Sequence, residues 1–90
     1  MLQVTERASQ ELSQVLGQVE KQPEQTLRLV SDPQAGYRLT LDVEQEGDQV
    51  VEHQGSTVLV LSSDLARDLE GAVLDVQETP AGPALTISRP

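Results

Sequence analysis

The chain has 90 residues, a formal net charge of −9 from 15 acidic against 6 basic side chains, and no cysteine, phenylalanine or tryptophan. One domain over residues 1–90 is all the length allows, with a thin core, because a chain this short hides roughly 60–65% of the surface its unfolded form exposes. Disulfides and thiol chemistry are excluded, and with no stacking platforms a large pocket for a planar ligand is poorly supplied.

Residues 2–4 form a short apolar lead-in. Thr5 suits a helix N-cap, accepting from the free amides of the first turn. Ala8, Leu12, Val15, Leu16 and Val19 then fall on one helical face, and Glu11, Gln14, Gln18 and Lys21 on the other. The spacing predicts a helix from residue 6 to about 22, a rod of roughly 25 Å stopped by Pro23. Gly17 lies inside it, at a close contact or on the surface.

From residue 26 the period changes to two. Leu27 and Leu29 point one way, Arg28 and Val30 the other. A tight loop, Asp32-Pro33-Gln34-Ala35-Gly36, leads into a strand in which Tyr37, Leu39, Leu41 and Val43 alternate with Arg38, Thr40 and Asp42. Residues 44–48, with Gly47, read as a turn, 49–53 as a short strand, and Gln54-Gly55 as a two-residue hairpin. Thr57 to Leu61 is apolar on both faces, the mark of a covered strand. Ser62 or Ser63 then caps a short helix that turns Leu65, Ala66 and Leu69 inward, and Gly71 supplies its left-handed stop. Strands over 72–78 and 84–88, joined by a turn at Pro80-Ala81-Gly82-Pro83, complete the order β-α-β-β-β-β-α-β-β. The class is α+β.

The chemistry is sparse. An acidic chain repels phosphate backbones and anionic lipid surfaces, and its basic residues, Arg7, Lys21, Arg28, Arg38, Arg67 and Arg89, are scattered. Neither nucleic acid nor a membrane is the expected partner, and the acidity reads first as solubility. No apolar run reaches a membrane span and no signal-peptide core opens the chain, so the expected setting is cytoplasmic. The one histidine, His53, adjoins a hairpin turn and reads as a solvated turn residue, with no nucleophile on its face. Glu44 with Glu46, and Asp64 with Asp68, read as solvated pairs. Asp42, Asp48 and Glu52 could meet across a hairpin and hold a hard cation weakly, but surface acidity is the simpler reading. No phosphate loop or metal-hydrolase motif is present, and no catalytic, cofactor-binding or metal-ligating residue is assigned.

One ordered series of residues resembles a known family. Asp48 begins a hairpin that Gly55 turns; Ser63 opens the short helix, Leu69 and Gly71 close it, and Asp75 follows on the next strand, with Gly82 and Pro90 beyond. With "VTERASQELSQVL", "LRL" and "GYRLTLD" before them, these residues resemble the HesB/IscA-like family, the A-type carriers of iron–sulfur cluster assembly. The resemblance spans nearly the whole chain. It implies about seven short strands in small mixed sheets forming a flattened barrel-like sandwich, with one long N-terminal helix and one short helix. In that family the loop reads Gly-Cys-Ser-Gly; the matching residues are Pro33, Gln34, Ala35 and Gly36. A Cys-Gly-Cys pair follows the family's terminal Asn-Pro, which Arg89-Pro90 matches. None of the family cysteines occurs in these 90 residues.

The absence bears directly on cluster chemistry, since cluster irons take soft thiolates, normally four, at times with two replaced by imidazole. The resemblance thus implies a non-enzymatic relative of the iron–sulfur assembly proteins that binds or regulates a protein partner, drawn from that machinery. The candidate partner-binding loop comprises Asp32, Gln34, Gly36, Tyr37 and Arg38. Tyr37 reads more simply as a core residue and Arg38 as a solvated side chain. A homodimer stays open. The alternative is an iron or iron–sulfur carrier that uses carboxylates, His53 or an external thiol. An enzyme ranks below both, because one histidine and scattered acids assemble no nucleophile, base and orienter.

Overall fold

The computed structural model describes residues 1–34 and 36–89. Nine elements follow the expected order: β1 (Gln3–Val4), α1 (Glu6–Gln18), β2 (Gln25–Asp32), β3 (Gly36–Val43), β4 (Gln49–His53), β5 (Ser56–Leu61), α2 (Ser63–Asp68), β6 (Val73–Thr79) and β7 (Gly82–Ser88). They build two small mixed sheets. Three strands run β1-β6-β7, with β1 parallel to β6; four run β3-β2-β5-β4, with β2 parallel to β5.

Strand β5 sits inside the larger sheet, and Val58, Leu59, Val60 and Leu61 are all buried, as the doubly apolar run requires. Leu27 and Leu29 of β2, Leu74 and Val76 of β6, and Leu2, Leu69 and Ala72 join one aliphatic core. Helix α1 seals it with Ala8 and Leu12, touching β6 of one sheet and β2, β4 and β5 of the other.

Local chemistry explains the joints. Thr5 caps α1, its hydroxyl accepting from the Ala8 N–H at 3.1 Å. Ser62, rather than Ser63, caps α2 by accepting from Leu65 N–H. Gln54 and Gly55 both take positive φ (53° and 83°), the pair that a two-residue I′ hairpin demands. Gly71, at φ 82°, turns the chain out of α2 so that the Ala72 N–H reaches the Leu69 carbonyl and β6 can start.

Two boundaries differ from the sequence reading by more than one residue. Helix α1 stops at Gln18, four residues short, and Val19 is extended and 38% exposed rather than inward. A helix end survives by packing more than by propensity. Beyond Leu16 no core residue calls for cover, and Gly17 faces open space, which settles it as a surface glycine. Strand β7 also begins two residues early, taking Gly82 and Pro83 into the ladder opposite Thr79 and Glu78. It is an edge strand, where the missing proline N–H costs no pairing. Among the described residues, no helix is long and apolar enough to cross a membrane.

Core position and surface position should separate cleanly in urea unfolding. Leu59→Ala in β5 is expected to cost about 3 kcal/mol through lost burial and a cavity. Val19→Ala should stay within about 0.5 kcal/mol.

Candidate functional site

The loop between β2 and β3 is a closed hairpin turn. Asp32 pairs with Gly36 across its base, and its carboxylate accepts from the Gln34 N–H at 2.9 Å. This Asx turn folds the chain back, and Gly36 completes it at φ 83°. Pro33 and Gln34 stand exposed at the tip. Ala35, matched to the family loop, and Pro90, matched to its terminal dipeptide, lie outside the described residues. Arg38 is exposed, its Nε 3.7 Å from an Asp32 oxygen. Tyr37 turns inward. With Leu29, Leu39, Leu74, Leu85 and Ile87 it lines a cavity of about 360 Å³ between the two sheets, beside Arg38. The five candidate loop residues are thus neighbours along one hairpin, but only Tyr37 and Arg38 line this cavity; Asp32, Gln34 and Gly36 do not.

The densest polar cluster lies elsewhere, on a residue that reads in sequence as one of the scattered cations. The Arg28 side chain is only 10% exposed. Its Nε donates to Asp42 at 2.8 Å, Nη1 to Asp48 at 3.3 Å, and Nη2 to Asp48 and to the Val43 carbonyl at 3.0 Å. Asp48 is 4% exposed and also accepts from the Gln45 N–H at 2.8 Å. Asp42 and Asp48 do meet across the hairpin, then, but around a guanidinium rather than an open cation site. Glu52 is exposed and outside the cluster. A signal for this was present: with the turn at 33–35, Arg28 falls opposite Thr40, and Asp42 sits diagonally beside it.

Charges follow the contacts. Burial pushes the Asp48 carboxyl up, but the Arg28 hydrogen bond, the Gln45 N–H and the Arg28 charge outweigh it and hold it below the usual carboxylate range. Hydrogen bonding to Asp48 raises the Arg28 guanidinium further, against burial. Asp75 is held low by the Thr5 hydroxyl, which donates to it at 2.7 Å, and by the Val76 N–H. Thr5 thus caps α1 and ties it to β6 with one oxygen.

His53 is not a solvated turn residue. Its side chain is 10% exposed, beneath the start of α1, with Nδ1 3.8 Å from Glu6. The hairpin turn lies just beyond it, while α1 packs on β4, the strand that carries it. Glu44, Glu46, Asp64 and Asp68 are exposed as expected. Among the described residues no group of three His, Cys, Asp or Glu side chains is placed to hold a metal ion.

No protein-family model matches the sequence, and no curated protein matches it. Solved structures do match. Escherichia coli SufA, involved in biosynthesis of iron–sulfur clusters, superposes with a TM-score of 0.75 at 22% identity, over 99% of this chain and 85% of SufA. The chain has the HesB/IscA-like fold. IscA, solved with a [2Fe–2S] cluster, superposes with a TM-score of 0.66 at 21% identity, over 100% of this chain and 86% of that one. A protein of Aquifex aeolicus gives 0.63 at 26% identity, over 99% and 91%. Within this fold, Asp48 and Asp75, which anchor the sequence resemblance, each have a structural task. One fixes the turn before β4 and the other fixes the start of α1.

Removing the guanidinium should therefore strand Asp48. Arg28→Ala is expected to cost about 3 kcal/mol or more, the scale for leaving a buried charge unpaired. The acid side gives an independent check. A carboxyl held low in the folded state stabilises above its unfolded value and loses that contribution as pH falls through the folded one. The cost of Asp48→Asn should be full at neutral pH and shrink below about pH 4, read from urea midpoints between pH 7 and 2.

Proposed function

We propose that this protein serves iron–sulfur cluster assembly as a non-enzymatic binding or regulatory protein that does not hold a cluster through its own side chains. The carrying observation is Gln34. It stands where the family resemblance puts the loop cysteine, within a fold matched over 99% of the chain by SufA. Support for the assembly setting comes from SufA, involved in cluster biosynthesis, and from IscA, solved with a [2Fe–2S] cluster.

The donor set does not fit a cluster. Iron in such clusters takes thiolate sulfur, at times with two imidazoles. The loop offers a neutral amide at Gln34 and the Asp32 carboxylate, already bonded to Gln34 N–H. His53 is half-buried beside Glu6, and Asp42 and Asp48 are engaged by Arg28. No cluster-holding step is assigned to these residues. In this reading the loop with Asp32, Gln34, Gly36, Tyr37 and Arg38 is the partner-facing edge. Pro33 and Gln34 form its tip, and Tyr37 anchors it from inside. The partner is a protein of the assembly machinery.

Anaerobic incubation with iron and sulfide, with and without glutathione, followed by desalting, tests the reading. The protein should emerge colourless, with iron no higher than in a cysteine-free control protein. A stable brown protein would overturn it and give the role to borrowed or non-thiolate ligands. For the loop, Gln34→Arg should weaken capture of assembly proteins from native extract about tenfold, the scale of one lost interface contact. Unchanged capture would move the partner surface elsewhere.

A further inference from the structure

The cavity between the two sheets, about 360 Å³, is large for so small a core. An interior at ordinary density leaves few openings bigger than a water molecule, and this volume falls within the range of small-ligand sites, roughly 300–1,000 Å³. Its most buried lining residues are Leu29 of β2 and Leu74 of β6. Tyr37 and Leu39 of β3, with Leu85 and Ile87 of β7, are half-buried, and Arg38 is exposed. Exposure thus rises from β2 and β6 toward β3 and β7. Those two outer strands are sheet edges, each paired on one side only. A molecule that enters between them breaks no ladder.

The lining selects its ligand by charge and shape. Five of the seven residues are aliphatic, Tyr37 is the only aromatic residue of the chain, and Arg38 carries the one charge. Among the described residues no acid lines the cavity, although the chain as a whole carries a formal charge of −9. A metal ion or an organic cation finds no counter-charge here. A planar ligand finds no pair of rings to stack between. A polyphosphate would set several charges against a single guanidinium. A flexible aliphatic tail with one carboxylate matches every part: the tail meets Leu29, Leu74, Leu85 and Ile87, and the head meets Arg38, whose planar fork suits a carboxylate bidentately. Little of the Arg38 charge is committed within the chain. Its Nε stands 3.7 Å from an Asp32 oxygen and its side chain is 65% exposed, the condition in which an ion pair contributes least.

We propose that this cavity binds a medium-chain aliphatic carboxylate, with the tail between the sheets and the head on Arg38. The site rests on β2, β3, β6 and β7 alone and does not depend on the proposed function.

The test titrates the full, isotopically labelled chain with hexanoate, octanoate, decanoate and octanol, followed by amide NMR shifts. Octanoate should saturate one site per chain, with the largest shifts at Leu29, Leu39, Leu74, Leu85 and Ile87. It should bind about tenfold or more tighter than hexanoate, because each buried methylene gives about fourfold. Arg38→Gln, at an exposed position, should weaken octanoate about tenfold or more and leave octanol unchanged, as expected for a lost hydrogen bond to a charged group. Leu85→Phe, which fills the cavity from β7, should abolish both while the amide spectrum stays that of a folded chain. Failure of octanoate and decanoate to saturate would overturn the proposal, whether the walls close or another protein chain covers them. Shifts confined to other parts of the chain, binding that ignores tail length, or octanoate binding unchanged by Arg38→Gln would overturn it too.

Discussion

The larger sheet hangs on one buried guanidinium. Arg28 stands on β2, between β3 and β5, with Leu27 and Leu29 on either side turned to the core. A charge there is tolerable only if every donor is met, because a desolvated cation costs several kcal/mol even after relaxation. The fork of Arg28 meets two carboxylates and a backbone carbonyl, drawn from β3 and the turn that follows it. Lysine could not span these partners, since an ammonium lacks the planar, bidentate fork. The result locks the β2–β3 hairpin to the start of β4. It also uses up the two acids best placed to attract a cation.

Weaker ties of the same kind hold the two sheets together. Among the described residues no ladder joins them. The Gln49 side chain of β4 instead acts as a stand-in peptide, donating to the Leu2 carbonyl at 2.8 Å and accepting from the Leu2 N–H at 3.0 Å. Leu2 precedes β1 of the other sheet. Thr5 and Asp75 join α1 to β6. Among the described residues no buried side-chain nitrogen or oxygen lacks a partner, so the thin aliphatic core is not burdened by orphaned polar groups. Pro33 and Gln34 sit on a hairpin fixed at its base by the Asp32–Gly36 pairing.

What could be read in the sequence was what neighbours along the chain decide. Period-two alternation, the Gln54-Gly55 turn, a serine cap at Ser62 or Ser63 and the Gly71 stop all rest on local backbone preference, and the structure has each, with the cap on Ser62. What could not be read depended on residues distant in sequence. The end of α1 is set by where the core stops needing cover, not by Pro23. His53 is half-buried, with Glu6 of α1 beside it and α1 packed on β4. Arg28 looked like a surface cation because the turn carrying Asp48 comes 20 residues later. Gln34 was legible as a substitution only against the family pattern; nothing in its own geometry marks it.

The fold and the local chemistry point in different directions. The architecture is that of SufA and IscA, while the loop carries an amide and Asp42 and Asp48 are engaged by Arg28. The central claim is that this chain keeps the carrier fold without an iron site of its own. Anaerobic calorimetric titration with ferrous iron tests it most directly. The expected result is heat of dilution only, for both the unmodified protein and Asp42→Asn. Saturable uptake at one site per chain, abolished by Asp42→Asn or by substituting His53, would contradict the claim and return the carboxylates and the histidine to the role of ligands.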